Sequence, residues 1–164
     1  MVSTTGAELL PKAAVSYFRE LIIPLATILT PNIPEALKLL EDAKEPKPQL
    51  DTLQDMVTLA KRVSKLGCAY VLLKGGHLPL TGDGKVARNV KEQQMVVNVL
   101  CNEDKTYILR MDYQNAKNTH GTGCSLACKA MLYFFVTIPA SITYSRTTVQ
   151  NPCPCYSILV RVIC

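Results

Sequence analysis

The feature that most constrains the fold is a short apolar run, Ala69–Lys74, which two consecutive glycines bring to an end. Its residues show almost no alternation between apolar and polar side chains. A strand of this composition is typical of a parallel sheet that is covered on both faces. A second short run, Ala26–Thr30, ends at Pro31 and predicts another buried strand.

Three segments with apolar residues at helical spacing flank and separate these two strands. Asp51 is the expected N-cap of the third helix, and Gly67 is expected to end it. The three predicted helices cover residues 8–22, 33–40 and 53–66.

Two further segments, Gln94–Cys101 and Thr106–Met111, are separated by a short polar stretch and predict a β-hairpin. The alternation of helices and strands along the chain predicts a layered α/β domain with a mostly parallel sheet.

Composition excludes several classes of protein. With 164 residues, 48% hydrophobic and 19% charged, the chain has the size of one domain and is too apolar for a disordered segment. No apolar run approaches the ~18 residues of a membrane-spanning helix, and no signal peptide is visible. The net charge of +5 is scattered, so it does not indicate nucleic-acid binding. We therefore expect a cytoplasmic protein with no membrane or nucleic-acid partner.

The seven cysteines are odd in number and irregularly spaced, which favours reduced thiols that pack as small apolar side chains. Cys124 and Cys128 stand four residues apart and could share a helix face as metal ligands, but the sequence supplies no further ligands for them.

The strongest local motif is Thr119–Ser125, in which Gly121 and Gly123 flank Thr122 at the start of a predicted helix. A glycine-rich turn at a helix N-terminus exposes backbone N–H groups and predicts an anion site. Cys124, in the first turn, would have a lowered pKa and could act as a base or thiolate. The alternative is a tight structural loop with a buried cysteine.

Two strand ends also carry polar residues. Asn32 and Glu35 follow the first strand, where α/β sheets bind ligands, and a carboxylate there could hold Mg²⁺ through water. The alternative is that Glu35 only complements the helix dipole. Lys74, at the end of the second strand, could meet a phosphate group or be a solvated strand terminus. His77 and His120 are interpreted as loop residues rather than catalysts.

Four segments of the chain form a series of motifs: Met1–Gly6, Leu29–Ala36, Tyr70–Leu78 and Asn118–Cys124. Taken in chain order, they resemble the hydroxymethylpyrimidine/phosphomethylpyrimidine kinases of thiamine biosynthesis, over roughly residues 1–135. The cysteine after Gly-Thr-Gly is informative, because pyridoxal kinases generally carry Asp there.

The resemblance implies a ribokinase-like three-layer α/β sandwich that uses ATP and Mg²⁺ to phosphorylate hydroxymethylpyrimidine and then its monophosphate. It implies that Cys124 is the catalytic residue and that Gly121, Thr122 and Gly123 form the anion hole for the transferring phosphoryl group.

By the same resemblance, Asn32 and Glu35 match an Asn-x-x-Glu motif that holds metal-bound water. Lys74 and Thr119 match residues on the nucleotide side of the site.

The match is to the C-terminal portion of the family, so we expect an incomplete sandwich over residues 1–135 and a divergent tail over 136–164. We expect the tail to come from a mis-joined or unspliced gene segment. An incomplete sheet exposes an edge, which favours a homodimer or a complementing N-terminal half as partner.

Three alternatives stay open at this point. They are a non-catalytic remnant that binds a nucleotide or a partner, a pyridoxal-type vitamin kinase, and a cysteine hydrolase that uses Cys124 with His120.

Overall fold

The computed structural model describes residues 11–76, 78–113 and 162–163. Within these ranges the α-helices are α1 (Lys12–Tyr17), α2 (Ile33–Asp42) and α3 (Leu53–Ser64). The strands are β1 (Ile28–Leu29), β2 (Tyr70–Leu73), β3 (Met95–Cys101), β4 (Thr106–Asp112) and β5 (Val162–Ile163).

The five strands form one sheet in the order β4-β3-β2-β1-β5. Strand β1 pairs in parallel with β2 and with β5, whereas β2–β3 and β3–β4 are antiparallel. The sheet is therefore mixed rather than mostly parallel as predicted. The reason is that the predicted hairpin joins the sheet through β3, which pairs in the antiparallel sense with β2.

Helices α2 and α3 lie in the crossover from β1 to β2, and α3 packs on β2 and β3. Their apolar faces and one face of the sheet form a common core. The burial follows the alternation of side chains along the strands. Core residues that are at most 1% exposed include Leu29, Leu39, Leu59, Val71, Leu73, Val97 and Val99.

The N-cap of helix α3 lies one residue later in the chain than the sequence analysis expected. The N-cap is Thr52, not Asp51, because the Thr52 side chain accepts from the Asp55 backbone N–H while the Asp55 carboxylate accepts from the Thr52 N–H. This reciprocal arrangement satisfies two N–H groups at the helix start. Gly67 follows the helix with φ of +111°, a conformation that favours glycine, as the prediction required.

The described part of the first predicted helix consists of two segments, and a 3₁₀ turn follows them. After α1 the chain forms a π turn over Phe18–Ile22 and a 3₁₀ turn over Ile23–Leu25, which contains Pro24. Proline has no backbone N–H to donate to the preceding turn, so regular α-helix cannot continue through it. Arg19 ties this segment to the end of α2 through Asp42, with Nε to Oδ2 at 2.7 Å.

The second face of the sheet is also apolar. Ile28 and Leu72 are buried there, at 2% and 1% exposure. On β4 the same face carries Tyr107, Leu109 and Met111, which are 44–53% exposed. Among the residues that the structure describes, no helix has the length and apolar character needed to cross a bilayer.

Candidate functional site

The carboxyl ends of β1 and β2 meet at one edge of the sheet because the two strands are parallel. Asn32 lies three residues after β1 and Lys74 directly follows β2, and the two residues form an isolated parallel bridge. The Lys74 backbone N–H donates to the Pro31 carbonyl oxygen at 2.8 Å. Two of the residues that the sequence predicted for the site are thus neighbours, although 41 other residues separate them in the chain.

Asn32 and Glu35 are joined by a reciprocal pair of hydrogen bonds at the start of α2. The Asn32 Oδ1 accepts from the Glu35 backbone N–H at 2.8 Å, and the Glu35 Oε2 accepts from the Asn32 N–H at 2.9 Å. Both residues are buried, at 8% and 7% exposure. The structure therefore shows that Glu35 acts at the N-terminal end of α2. This is one of the two roles that the sequence analysis left open for it, and the other is metal binding.

The same pair offers only oxygen donors, which is the chemistry that a hard cation such as Mg²⁺ prefers. A carboxylate has about four lone-pair sites, so Glu35 can accept hydrogen bonds from several groups in addition to the Asn32 N–H. The described residues contain no cluster of three or more His, Cys, Asp or Glu side chains that could cage a metal directly. Asn32 and Glu35 consequently fit a Mg²⁺ ion held through water and ligand phosphates, and not a closed protein cage.

Lys74 is half-buried, and the two glycines after it have opposite surroundings. A Cβ on Gly75 would lie 1.9 Å from the Val97 carbonyl oxygen and 2.6 Å from Met56 Cε, whereas a Cβ on Gly76 would meet nothing within 4 Å. Gly75 is therefore required by a close approach of β2 to β3, and Gly76 lies in open space.

One further polar residue at this edge was missed by the sequence analysis. Asn98 on β3 is 2% exposed, and its Oδ1 accepts from the Gly75 N–H at 3.0 Å. The only signal in the sequence is an asparagine inside an otherwise apolar strand pattern, and that pattern does not reveal its partner.

The remaining predicted site residues lie outside the described residues. These are His77 and the whole glycine-rich motif, with Thr119, His120, Gly121, Thr122, Gly123 and Cys124, as well as Cys128.

The two cysteines that the structure describes behave as buried apolar residues. Cys68 and Cys101 are both free thiols, at 6% and 1% exposure. Burial raises the pKa of the Cys68 thiol to about 11, and burial also raises the pKa of Cys101. Burial therefore disfavours the thiolate, which is the reactive form, at both positions.

The fold is that of the ribokinase-like vitamin kinases. A crystal structure of Bacillus subtilis pyridoxal kinase in complex with ADP superposes with a TM-score of 0.60 at 27% sequence identity. The matched region covers 84% of this chain and 46% of the pyridoxal kinase.

The sequence identifies the family within that class. The phosphomethylpyrimidine kinase family model matches residues 1–151, and the chain belongs to this family. A hydroxymethylpyrimidine/phosphomethylpyrimidine kinase of Saccharomyces cerevisiae is 38% identical over 130 residues, and the corresponding kinase of Bacillus subtilis is 32% identical over 127 residues.

Each of these two matches covers 77% of this chain. The chain spans only 21% of the yeast protein and 40% of the Bacillus protein. The family match extends beyond residue 135, at which the sequence analysis placed the domain boundary. That boundary stays a prediction.

Proposed function

We propose that this chain provides the nucleotide and anion-hole part of an ATP-dependent kinase that phosphorylates hydroxymethylpyrimidine and its monophosphate. The observation that carries the proposal is the meeting of Asn32, Glu35 and Lys74 at the carboxyl ends of two parallel strands. Family membership supports the substrate class, and the ADP complex of the structural neighbour supports a nucleotide as ligand.

In this proposal Asn32 and Glu35 hold a hydrated Mg²⁺ ion, and Lys74 meets a phosphate group as a point charge. When bound, the metal would neutralise charge on the nucleotide phosphates during phosphoryl transfer. The capping hydrogen bonds have a second consequence. They fix the orientation of the Glu35 carboxylate before any ligand arrives, which lowers the cost of organising the site.

The glycine-rich motif completes the proposed site. Gly121, Thr122 and Gly123 supply backbone N–H groups for the transferring phosphoryl, Cys124 is the catalytic residue, and Thr119 contacts the nucleotide. Positioned donors of this kind stabilise charge that develops in the transition state.

We further propose a cytoplasmic enzyme that either forms a homodimer or associates with a complementing N-terminal half. The exposed apolar side chains on β4 support an association, because such a face is costly to leave in water.

The chemical test is turnover of Mg²⁺·ATP by the chain with hydroxymethylpyrimidine as substrate, and with pyridoxal as a rival substrate. Cys124→Ala should lower kcat at least 100-fold while the Kd for ATP changes less than threefold. Equal kcat in the two proteins would remove Cys124 from the mechanism. Faster turnover of pyridoxal than of hydroxymethylpyrimidine would assign the chain to the rival kinase.

Glu35→Gln tests the metal proposal separately from the helix cap. Glutamine retains a side-chain oxygen that can accept from the Asn32 N–H, but it removes the charge. We expect the Mg²⁺ concentration for half-maximal activity to rise at least tenfold, with little change in thermal stability. Glu41→Gln, on the exposed side of the same helix, is the matched control and should leave both quantities unchanged.

A second candidate function is a non-catalytic chain that binds nucleotide. It requires only polar groups placed at the strand ends, such as Asn32 and Lys74, which the structure brings together. It predicts a measurable Kd for ATP together with no turnover of any pyrimidine at saturating Mg²⁺.

A further inference from the structure

Asn98 occupies an unusual position for a polar side chain. It lies on β3, is 2% exposed, and projects onto the second face of the sheet, opposite to the face that packs on α3. The β2–β3 ladder pairs Val71 with Cys101 and continues to Leu73 with Val99. Directly beyond this last pair, the Asn98 Oδ1 accepts from the Gly75 N–H.

The side chain thus satisfies a buried backbone N–H just where the strand-to-strand ladder ends. Gly75 is buried, so without the Asn98 acceptor its N–H would be shielded from water and left without a hydrogen bond from Asn98. The close approach of Gly75 to the Val97 carbonyl oxygen leaves no room for another residue type to take up this path.

Lys74 is consequently held from both of the strands that flank β2. Its own N–H donates to the Pro31 carbonyl oxygen on the β1 side, and the next N–H along the chain donates to Asn98 on the β3 side. Two consecutive peptide groups with fixed partners leave the Lys74 backbone little freedom to rotate. The backbone position from which the Lys74 side chain extends is therefore fixed.

We propose that Asn98 is a positioning residue: it fixes the Lys74–Gly75 backbone so that the Lys74 ammonium group is placed to meet a phosphate group. The inference rests on the proposed function for the identity of the ligand, a nucleotide phosphate. The positioning itself rests only on the hydrogen bond and the close approach of the two strands.

The first experiment measures amide hydrogen exchange at Gly75 by NMR in the full chain. Asn98→Leu removes the acceptor at similar volume, and the exchange of the Gly75 amide should become at least tenfold faster than in the wild type. Asn98→Asp retains an acceptor oxygen and should preserve the protection. Unchanged protection in Asn98→Leu would overturn the inference. Asn98→Ser, whose hydroxyl is too short to reach, serves if the leucine variant does not fold.

The second experiment measures the Kd of Mg²⁺·ATP for Asn98→Leu, for Lys74→Ala and for the double variant. If Asn98 acts through Lys74, each single variant should raise Kd about tenfold. The Kd of the double variant should then be no higher than the higher of the two single-variant values. Asn98→Asp should bind within threefold of the wild type. Independent, multiplying effects in the double variant would show that Asn98 does not act through Lys74.

Cys101→Ala is the matched structural control. It removes a buried side chain from the same strand, at the other end of the β2–β3 ladder. It should lower stability while leaving the Kd of Mg²⁺·ATP within twofold of the wild type. A loss of affinity as large as that of Asn98→Leu would mean that Asn98 acts only through general stability. Absence of ATP binding by the wild type would overturn the proposed function and the phosphate part of this inference, whereas exchange at Gly75 would still decide whether Asn98 fixes the turn.

Discussion

The inner strands β1 and β2 and the outer strand β4 belong to one sheet but differ in almost every physical respect. The inner strands have two and four residues, and their side chains are almost all buried. Strand β4 has seven residues, and six of them are exposed. The polar groups of the candidate site follow the inner strands, where backbone positions are fixed by neighbours on both sides.

The difference shows how this fold combines rigidity with chemistry. The buried strands fix the backbone positions of Asn32 and Lys74. Strand β4 lies at one end of the strand order and contributes no candidate site residue. Substitutions in the two regions should therefore have very different effects.

The largest effect is expected for Gly75→Ala at the end of β2. The added Cβ would collide with the Val97 carbonyl oxygen, a backbone atom that cannot rotate away. We expect a loss of about 4 kcal/mol in the free energy of unfolding, above the usual cost of overpacking. Chemical denaturation measures it. Gly76→Ala is the matched control. Its free energy of unfolding should lie within about 0.5 kcal/mol of the wild type, because its Cβ would meet nothing within 4 Å. Equal losses in the two variants would contradict the close approach of Gly75 to β3.

The next largest effect compares leucines of the two regions. Leu73→Ala on β2 should cost about 3 kcal/mol, because it removes a fully buried side chain and leaves a cavity. Leu109→Ala on β4 should cost less than about 1 kcal/mol, since Leu109 is 46% exposed. Urea unfolding of both variants measures the difference. A cost at Leu109 as large as that at Leu73 would show that β4 is covered in solution.

Much of this organisation could be predicted from the sequence. The structure confirms the two buried strands, helices α2 and α3 and the hairpin. In each of these segments the spacing of apolar residues and the turn residues at the ends predict the same element. The resemblance also selected Asn32, Glu35 and Lys74, and the structure brings them to one edge.

What could not be predicted depends on contacts between distant segments. The Asn98–Gly75 hydrogen bond joins residues that no local pattern connects. The N-cap of α3 was placed one residue too early because Asp51 and Thr52 are both good caps. The signal that decides between them was present, since Asp55 stands three residues after Thr52 and completes a capping box.

A smaller effect compares the two capping boxes. Asn32→Ala should cost about 2 kcal/mol, because the Glu35 N–H that it leaves without an acceptor is buried. Thr52→Ala should cost about 1 kcal/mol, because the Thr52 box is only partly buried. Thermal denaturation of both variants tests the order, and a reversed order would indicate that burial does not set the cost of losing a cap here.

The smallest expected effect is a pH dependence of protein stability that comes from Asp55 in the Thr52–Asp55 capping box. Hydrogen bonds from the Thr52 hydroxyl and from the Asp51 and Thr52 backbone N–H groups lower the pKa of Asp55. A lowered pKa contributes stability above the ordinary value of about 3.9, and this contribution is lost as the pH falls through the lower folded-state value.

Asp55→Asn should therefore make the stability curve flatter below about pH 4. Thr52→Val, which removes the hydroxyl donor, should do the same to a smaller extent. Denaturant midpoints between pH 2 and pH 7 measure both, with wild type as reference. Parallel curves for the three proteins would remove Asp55 from the acid response.

The crossover between β1 and β2 also has a consequence for the order of assembly. The hairpin pairs Cys101 with Thr106 across a short turn, so its contacts can form within microseconds. Ile28 and Tyr70 pair only after about 40 residues of chain have been closed into a loop, which is entropically costly and slow. We therefore expect the outer hairpin to form early and the edge that carries Asn32 and Lys74 to be completed late, when the two helices dock.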